Sequence, residues 1–206
     1  GSTGAGKTTL VDVLLGLLRP TQGAITVDGT PVTEASLRAW QQSLGYVPQE
    51  IFLTDTTVSE NIALGIPPVA IDQAQVERCA RMAQVHDFIT QELPHQYDTL
   101  VGERGVRLSG GQRQRIGIAR ALYHEPDILV FDEATSALDT VTERAVMQAI
   151  DALAQQKTII LIAHRLSTVK NCDQIVLLEQ GQIKVRGTFE ELSASNQRFA
   201  AMAGRA

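Results

Sequence analysis

Apolar residues recur along this chain at two spacings, and the alternation between them predicts its architecture. Over 8–18 they follow helical spacing, with Leu10, Leu14, Leu17 and Leu18 aligned and Arg19-Pro20 ending the pattern. Residues 24–27 read as a short strand closed by an Asp28-Gly29 turn, and 44–47 as a second strand ending at Pro48-Gln49. From 51 to 115 strand runs are few and helical patterns dominate. Thr57 and Glu60 have capping-box spacing ahead of 61–64, and 72–88 carries Val76, Cys79, Ala80 and Ala83 on one side of a helix. Residues 92–106 read as loop.

The strand–helix alternation then returns. A helix over 113–123 places Ile116, Ala119 and Leu122 at three-residue steps, and 127–131 is a buried strand. An amphipathic helix over 143–153 turns Val146, Ile150 and Leu153 inward before a second buried strand over 158–163. Residues 174–178 and 182–185 flank Gln180-Gly181 as a hairpin, and Thr188 with Glu191 forms another capping box opening a C-terminal helix. Short all-apolar strands between helices imply an α/β fold with a mostly parallel sheet flanked by helices. The segments 1–50 and 116–206 would form that core, with 51–115 as an inserted helical subdomain.

Composition narrows the classes. At 206 residues the chain has the length of one domain, and with 44% hydrophobic and 20% charged residues it is too apolar for disorder. Eighteen Lys and Arg against 23 Asp and Glu give a net charge of −5, which argues against nucleic acid as a partner. Cys79 and Cys172 are far apart and without CxxC spacing, so they read as reduced thiols rather than a zinc site or a disulfide framework. No apolar run approaches the roughly 20 residues of a membrane span, and no signal peptide is present.

Three motifs carry chemistry. The first is Gly1-Ser2-Thr3-Gly4-Ala5-Gly6-Lys7-Thr8-Thr9. Glycines let the backbone wrap close to phosphates with N–H groups inward, and the helix that follows adds its positive end. Lys7 supplies a point charge for β/γ-phosphates and Thr8 a hydroxyl for Mg²⁺. Such a loop normally follows a buried strand, so the chain is expected to lack an N-terminal part. The second motif is Ile128-Leu129-Val130-Phe131-Asp132-Glu133, an apolar strand delivering two acids. Asp132 suits Mg²⁺, and Glu133 a general base on an attacking water. The third is Leu108-Ser109-Gly110-Gly111-Gln112, where two glycines at a helix start make an anion-binding backbone.

The order of phosphate loop, Gln49, this pentapeptide, the Asp132-Glu133 strand, Ser136-Ala137-Leu138-Asp139 and His164 resembles the ATP-binding cassette family from Gly1 to His164. The resemblance implies a P-loop NTPase (RecA-like) core whose helical subdomain carries the signature motif, with ATP and Mg²⁺ as ligands. It implies a head-to-tail pair, most simply a homodimer, with each ATP between one phosphate loop and the partner's signature. Ser109, Gly110, Gly111 and Gln112 would then act in trans on the γ-phosphate. Gln49 would contact Mg²⁺ or the water, Asp139 would line the seam, and His164 would hydrogen-bond the γ-phosphate. Glu133, His164, Gln49 and Lys7 form the catalytic set. Thr8, Gln49 and Asp132 form the metal set, and residues 1–9 wrap the phosphates.

Val101-Gly102-Glu103-Arg104-Gly105 and Pro48-Gln49-Glu50-Ile51-Phe52-Leu53 resemble exporter-type cassettes. These are coupled to a membrane domain, fused upstream or a separate subunit, at the cytoplasmic face of the inner or plasma membrane, the cassette piece itself being soluble. Arg38-Ala39-Trp40, Phe52-Leu53-Thr54-Asp55 and 61–65 are similar to lipid-linked-oligosaccharide flippases and related lipid or polysaccharide exporters. Arg104, Arg107, Arg113, Arg115 and Arg120 read as dimer or membrane-domain contacts, or as a solvated helix face. The alternatives are a soluble cassette ATPase acting on DNA or the ribosome, and a non-catalytic ATP-binding module. Long coiled-coil inserts or tandem cassettes, typical of the first, are absent from the sequence, and the intact Glu133 and His164 speak against the second.

Overall fold

A computed structural model describes residues 4–102, 108–134, 140–163 and 165–203. In chain order its elements are α1 (Lys7–Leu14), β1 (Thr26–Val27), β2 (Thr30–Pro31), α2 (Glu34–Gln42), β3 (Leu44–Val47), α3 (Val58–Ile62), α4 (Gln73–Met82), α5 (His86–Glu92), α6 (Gly110–Leu122), β4 (Ile128–Asp132), α7 (Thr140–Ala154), β5 (Thr158–Ile162), β6 (Ile175–Glu179), β7 (Gln182–Gly187), α8 (Phe189–Ser195) and α9 (Gln197–Ala203). Short 3₁₀ turns lie at Pro68–Ala70, Gln96–Asp98 and Leu166–Val169. The chain forms two compact units, one of residues 43–160 and one of 1–42 with 161–206.

In the unit 43–160, β3 and β4 run parallel, with Leu44 opposite Ile128 and Val47 opposite Phe131. Leu129, Val130 and Phe131 are all buried, so β4 is covered on both faces as its unbroken apolar run requires. Helix α6 lies against β3 and also packs on α3, α4 and α7. The close approach depends on Gly45, where a Cβ would stand 2.6 Å from Leu129 Cδ2 and 2.7 Å from the Ala121 carbonyl oxygen. Val146, Ala149, Ile150 and Leu153 of α7 are buried, the face its spacing predicts. The strand order is β3–β4–β5. Strand β5, expected to be buried, has Thr158 exposed and its other residues half-buried.

Several boundaries differ from expectation for local reasons. The single helix expected over 72–88 is two, because Gln84 takes a left-handed φ of 57° between buried Ala83 and Val85. The helix expected to start at Arg113 starts at Gly110, because Ser109 caps it. The expected loop 92–106 contains a 3₁₀ turn and a backbone bridge from Leu100 to Thr57, within the part described.

In the other unit, α1 ends at Leu14 rather than Leu18. Gly16 turns the chain at φ +69° against Leu37, which leaves Leu17 and Leu18 exposed rather than on a helical face. Helix α2 docks there, Trp40 Nε1 donating to the Leu14 carbonyl at 2.7 Å and Gln41 Nε2 to that of Leu15 at 3.2 Å. Strands β6 and β7 form the expected antiparallel hairpin. Val169, Ile175, Leu192 and Phe199 make a core beneath α8 and α9, with Thr188 and Glu191 completing the expected capping box. Among the described residues no helix is long and apolar enough to cross a membrane.

Candidate functional site

The glycine-rich loop enters α1 through two left-handed residues, Gly4 at φ +76° and Gly6 at φ +95°. Ala5 between them is buried. Gly6 is the N-cap of α1 and has no side chain to satisfy the first amides of the helix. Those amides and the positive end of the helix suit an anion. Lys7 is half-buried on the first turn, while Thr8 and Thr9 are exposed. Gly1, Ser2 and Thr3 lie outside the described residues, as do Asp139, His164, the 136–138 segment and 103–107.

The second group sits at the C-terminal ends of the two parallel strands. Val47 and Phe131 are paired, so Gln49, two residues past β3, and Asp132, the last residue of β4, leave the sheet at the same edge. Ligands of α/β sheets bind at this edge. Asp132 is half-buried, and Tyr46 of β3 donates its hydroxyl to Asp132 Oδ2 at 3.5 Å. The next residue, Glu133, has a left-handed φ of 48°. For a non-glycine residue that conformation costs roughly 1–2 kcal/mol, and such strain concentrates at working sites. Gln49 is exposed, and Gly117 of α6 makes room for Ile51 just beyond it, where a Cβ would lie 2.4 Å from Ile51 Cδ1.

The third group is the start of α6. Ser109 Oγ accepts from the Gln112 amide at 3.2 Å, and Gln112 Oε1 accepts from the Ser109 amide at 2.7 Å. This capping box was legible as Ser-x-x-Gln but was not read from the sequence. It engages the Gln112 carbonyl oxygen in the cap and leaves the Ser109 hydroxyl proton to donate outward. Ser109 and Gly110 are exposed. Gly111 is buried against α7, where a Cβ would stand 1.8 Å from Thr142 Cγ2.

The family model described as ABC transporter matches residues 1–136. The chain belongs to the ABC transporter family. The cassette is 46% identical over 192 residues to the heterocyst differentiation ATP-binding protein HepA of a Nostoc species, covering 93% of this chain and 31% of that protein. It is 45% identical over 202 residues to an ATP-dependent lipid A-core flippase of Chromohalobacter salexigens, and 47% over 202 residues to the beta-(1→2)glucan export ATP-binding/permease protein NdvA of Rhizobium meliloti. Each of these alignments covers 98% of this chain and 34% of the relative. The solved structure of a bacterial Atm1-family ABC exporter with ATP bound superposes with a TM-score of 0.88 at 41% identity, over 100% of this chain and 35% of that one. The cassette thus spans about a third of the length of the relatives it matches.

The arginines of α6 bond within the chain. Arg120 donates through Nε to the Asn61 carbonyl at 2.7 Å, through Nη1 to that of Phe52 at 2.9 Å and through Nη2 to Asn61 Oδ1 at 3.0 Å. Arg115 Nη1 donates to the Gln84 carbonyl at 2.7 Å and Arg113 Nη1 to that of Leu108 at 2.6 Å. These side chains bind carbonyls inside the cassette's own unit, Arg113 from an exposed position and Arg115 and Arg120 from half-buried ones. Burial pushes the pKa values of Arg115 and Arg120 down from the ordinary arginine value.

Asn61 is the residue sequence reasoning passed over. It is fully buried in α3. Its amide donates to the carbonyls of Thr54 and Thr57 at 3.0 Å, and its Oδ1 accepts from the Thr54 amide at 2.9 Å. A buried Asn inside an apolar helix pattern was the available signal. It fixes the 54–57 loop that follows Gln49 and Ile51.

Proposed function

We propose that this cassette binds and hydrolyses ATP in a head-to-tail pair, and that the pair powers export or flipping of a substrate by a membrane domain. The observation that carries the reading is the glycine-rich loop. Two left-handed glycines flank a buried alanine and turn the backbone into the uncapped start of α1. Lys7 meets the β- and γ-phosphates, and the amides of the loop cradle them.

The donor set fits Mg²⁺, a hard cation that takes a few protein oxygens and completes its shell with phosphate and water. Thr8 offers an exposed hydroxyl, Asp132 a carboxylate at the end of β4, and Gln49 an exposed side-chain amide two residues past β3. When bound, Mg²⁺ would neutralise charge on the phosphate oxygens. Glu133 takes the proton of the attacking water, with its position set by the strained turn after β4. His164 orients the γ-phosphate and Asp139 lines the seam between cassettes. From the partner copy, Ser109 donates its hydroxyl, and the backbone of Gly110, Gly111 and Gln112 adds the amides at the start of α6. Such closure excludes water and strengthens each charge contact.

By likeness to the lipid A-core flippase and the glucan exporter, the substrate is a lipid or a glycan, and the cassette works at the cytoplasmic face of the membrane. It comprises a core of 1–50 and 116–206 with the helical subdomain 51–115. MgATP binding to Lys7→Ala tests the reading. Loss of a buried charge contact should weaken affinity by about 2–4 kcal/mol, roughly 30- to 1,000-fold. Unchanged affinity would refute the phosphate-loop assignment.

A further inference from the structure

The turn of the β6–β7 hairpin touches the glycine-rich loop. The Gly181 amide donates to the Ala5 carbonyl at 3.0 Å. Gly6 comes so near that a Cβ there would lie 3.5 Å from Gly181 Cα and 3.8 Å from Leu178 Cδ2. The turn residues Gln180 and Gly181 are both left-handed, at φ 50° and 73°. Two such residues close a tight hairpin whose twist matches its strands. The hairpin is held from the other side, where Arg198 of α9 pairs with Glu179 at 2.8 Å and Leu192 and Phe199 pack beside Ile175.

The contact has a geometric consequence for the loop. The Ala5 carbonyl and the Gly6 amide belong to one planar trans peptide, so they point in opposite directions. A donor that holds the carbonyl on the hairpin side therefore aims the Gly6 N–H away from the hairpin. Without it, the peptide could rotate about Ala5 ψ and the permissive Gly6 φ and present a repulsive carbonyl to a phosphate. We propose that Gly181 is a positioning residue for nucleotide binding, fixing the Ala5–Gly6 peptide so that its N–H faces the phosphates. This rests on the ATP-binding reading above.

Amide hydrogen exchange on the full chain tests it, with and without the Mg²⁺ complex of a non-hydrolysable ATP analogue. Nucleotide should slow exchange at the amides of 4–9, and should slow the Gly181 amide with them, by about tenfold. Slowing at 4–9 with Gly181 unchanged would overturn the positioning role while leaving ATP binding intact. No slowing at either would overturn the ATP-binding reading and this inference with it.

Two variants give a second readout. A Cβ at Gly181 meets nothing within 4 Å, so a substitution acts through backbone conformation alone. Gly181→Val should raise KM for ATP by about 5- to 30-fold with kcat unchanged, because an L-residue resists this φ. Gly181→Asn, which tolerates it, should stay within about twofold of the parent. Equal KM in all three, or a fall in kcat alone, would contradict the proposal.

Discussion

Replacing Asn61 by alanine should be among the most damaging single changes outside the nucleotide motifs. The side chain is fully buried, and its two ends do different work. Oδ1 accepts from the Thr54 amide at 2.9 Å and from Arg120 Nη2 at 3.0 Å, while Nδ2 donates to the carbonyls of Thr54 and Thr57 at 3.0 Å. Truncation leaves one half-buried N–H and one arm of a half-buried guanidinium without that acceptor, at about 1–3 kcal/mol each. The Thr54 and Thr57 carbonyls lose a donor as well. The sum is about 3–5 kcal/mol, a large part of the roughly 5–15 kcal/mol that holds a domain together. For a chain of this size that corresponds to a fall in melting temperature of about 6–20 °C. Urea denaturation followed by far-UV circular dichroism measures it. Asn61→Asp separates the two ends, since it keeps the acceptor and turns an oxygen toward two carbonyls. A loss below about 1 kcal/mol in Asn61→Ala would refute the view that this side chain organises the loop after Gln49.

Other consequences are equally specific. Gly111→Ala places a methyl on Thr142 Cγ2 and should cost about 1–3 kcal/mol by overpacking. Thr142→Ser in the same chain removes that methyl and should restore most of the loss, and failure to do so would mean that Gly111 matters for another reason. Glu60 accepts from the Thr57 amide and hydroxyl, which holds its carboxyl below the usual range. A lowered folded value stabilises the fold above the unfolded pKa of about 4.3, and that contribution disappears as pH falls through the folded value. The difference in melting temperature between the parent and Glu60→Ala should accordingly narrow from about pH 6 to pH 3. A constant difference would contradict the pairing.

What the sequence disclosed was what neighbouring residues decide. The capping boxes at Thr57/Glu60 and Thr188/Glu191 and the Gln180-Gly181 turn are fixed within four residues, and the structure has them where their spacing puts them. The strand of Leu129, Val130 and Phe131 was equally plain, since only a strand covered on both faces is apolar at every position. The break at Gln84 was not legible. Gln84 is left-handed there, and its carbonyl accepts from Arg115, 31 positions away. The long-range bonds of α6 were not legible either. Arg115 and Arg120 donate to backbone carbonyls 31 and 59 positions away, which charge spacing alone could not reveal. The end of α1 was available in Gly16, but the apolar spacing of Leu17 and Leu18 outweighed it. Among the site residues, types and order were readable. The strained φ at Glu133 and the shared edge of Gln49 and Asp132 needed the parallel register.

Hydrolysis by Glu133→Gln beside the parent chain, with MgATP binding measured on the same samples, tests the central claim most directly. The substitution keeps the side chain's size and shape and removes the carboxylate that acts as base. Binding should be unchanged, and the hydrolysis rate should fall by about 100- to 10,000-fold. Equal turnover by the two proteins, with binding intact in both, would contradict the account.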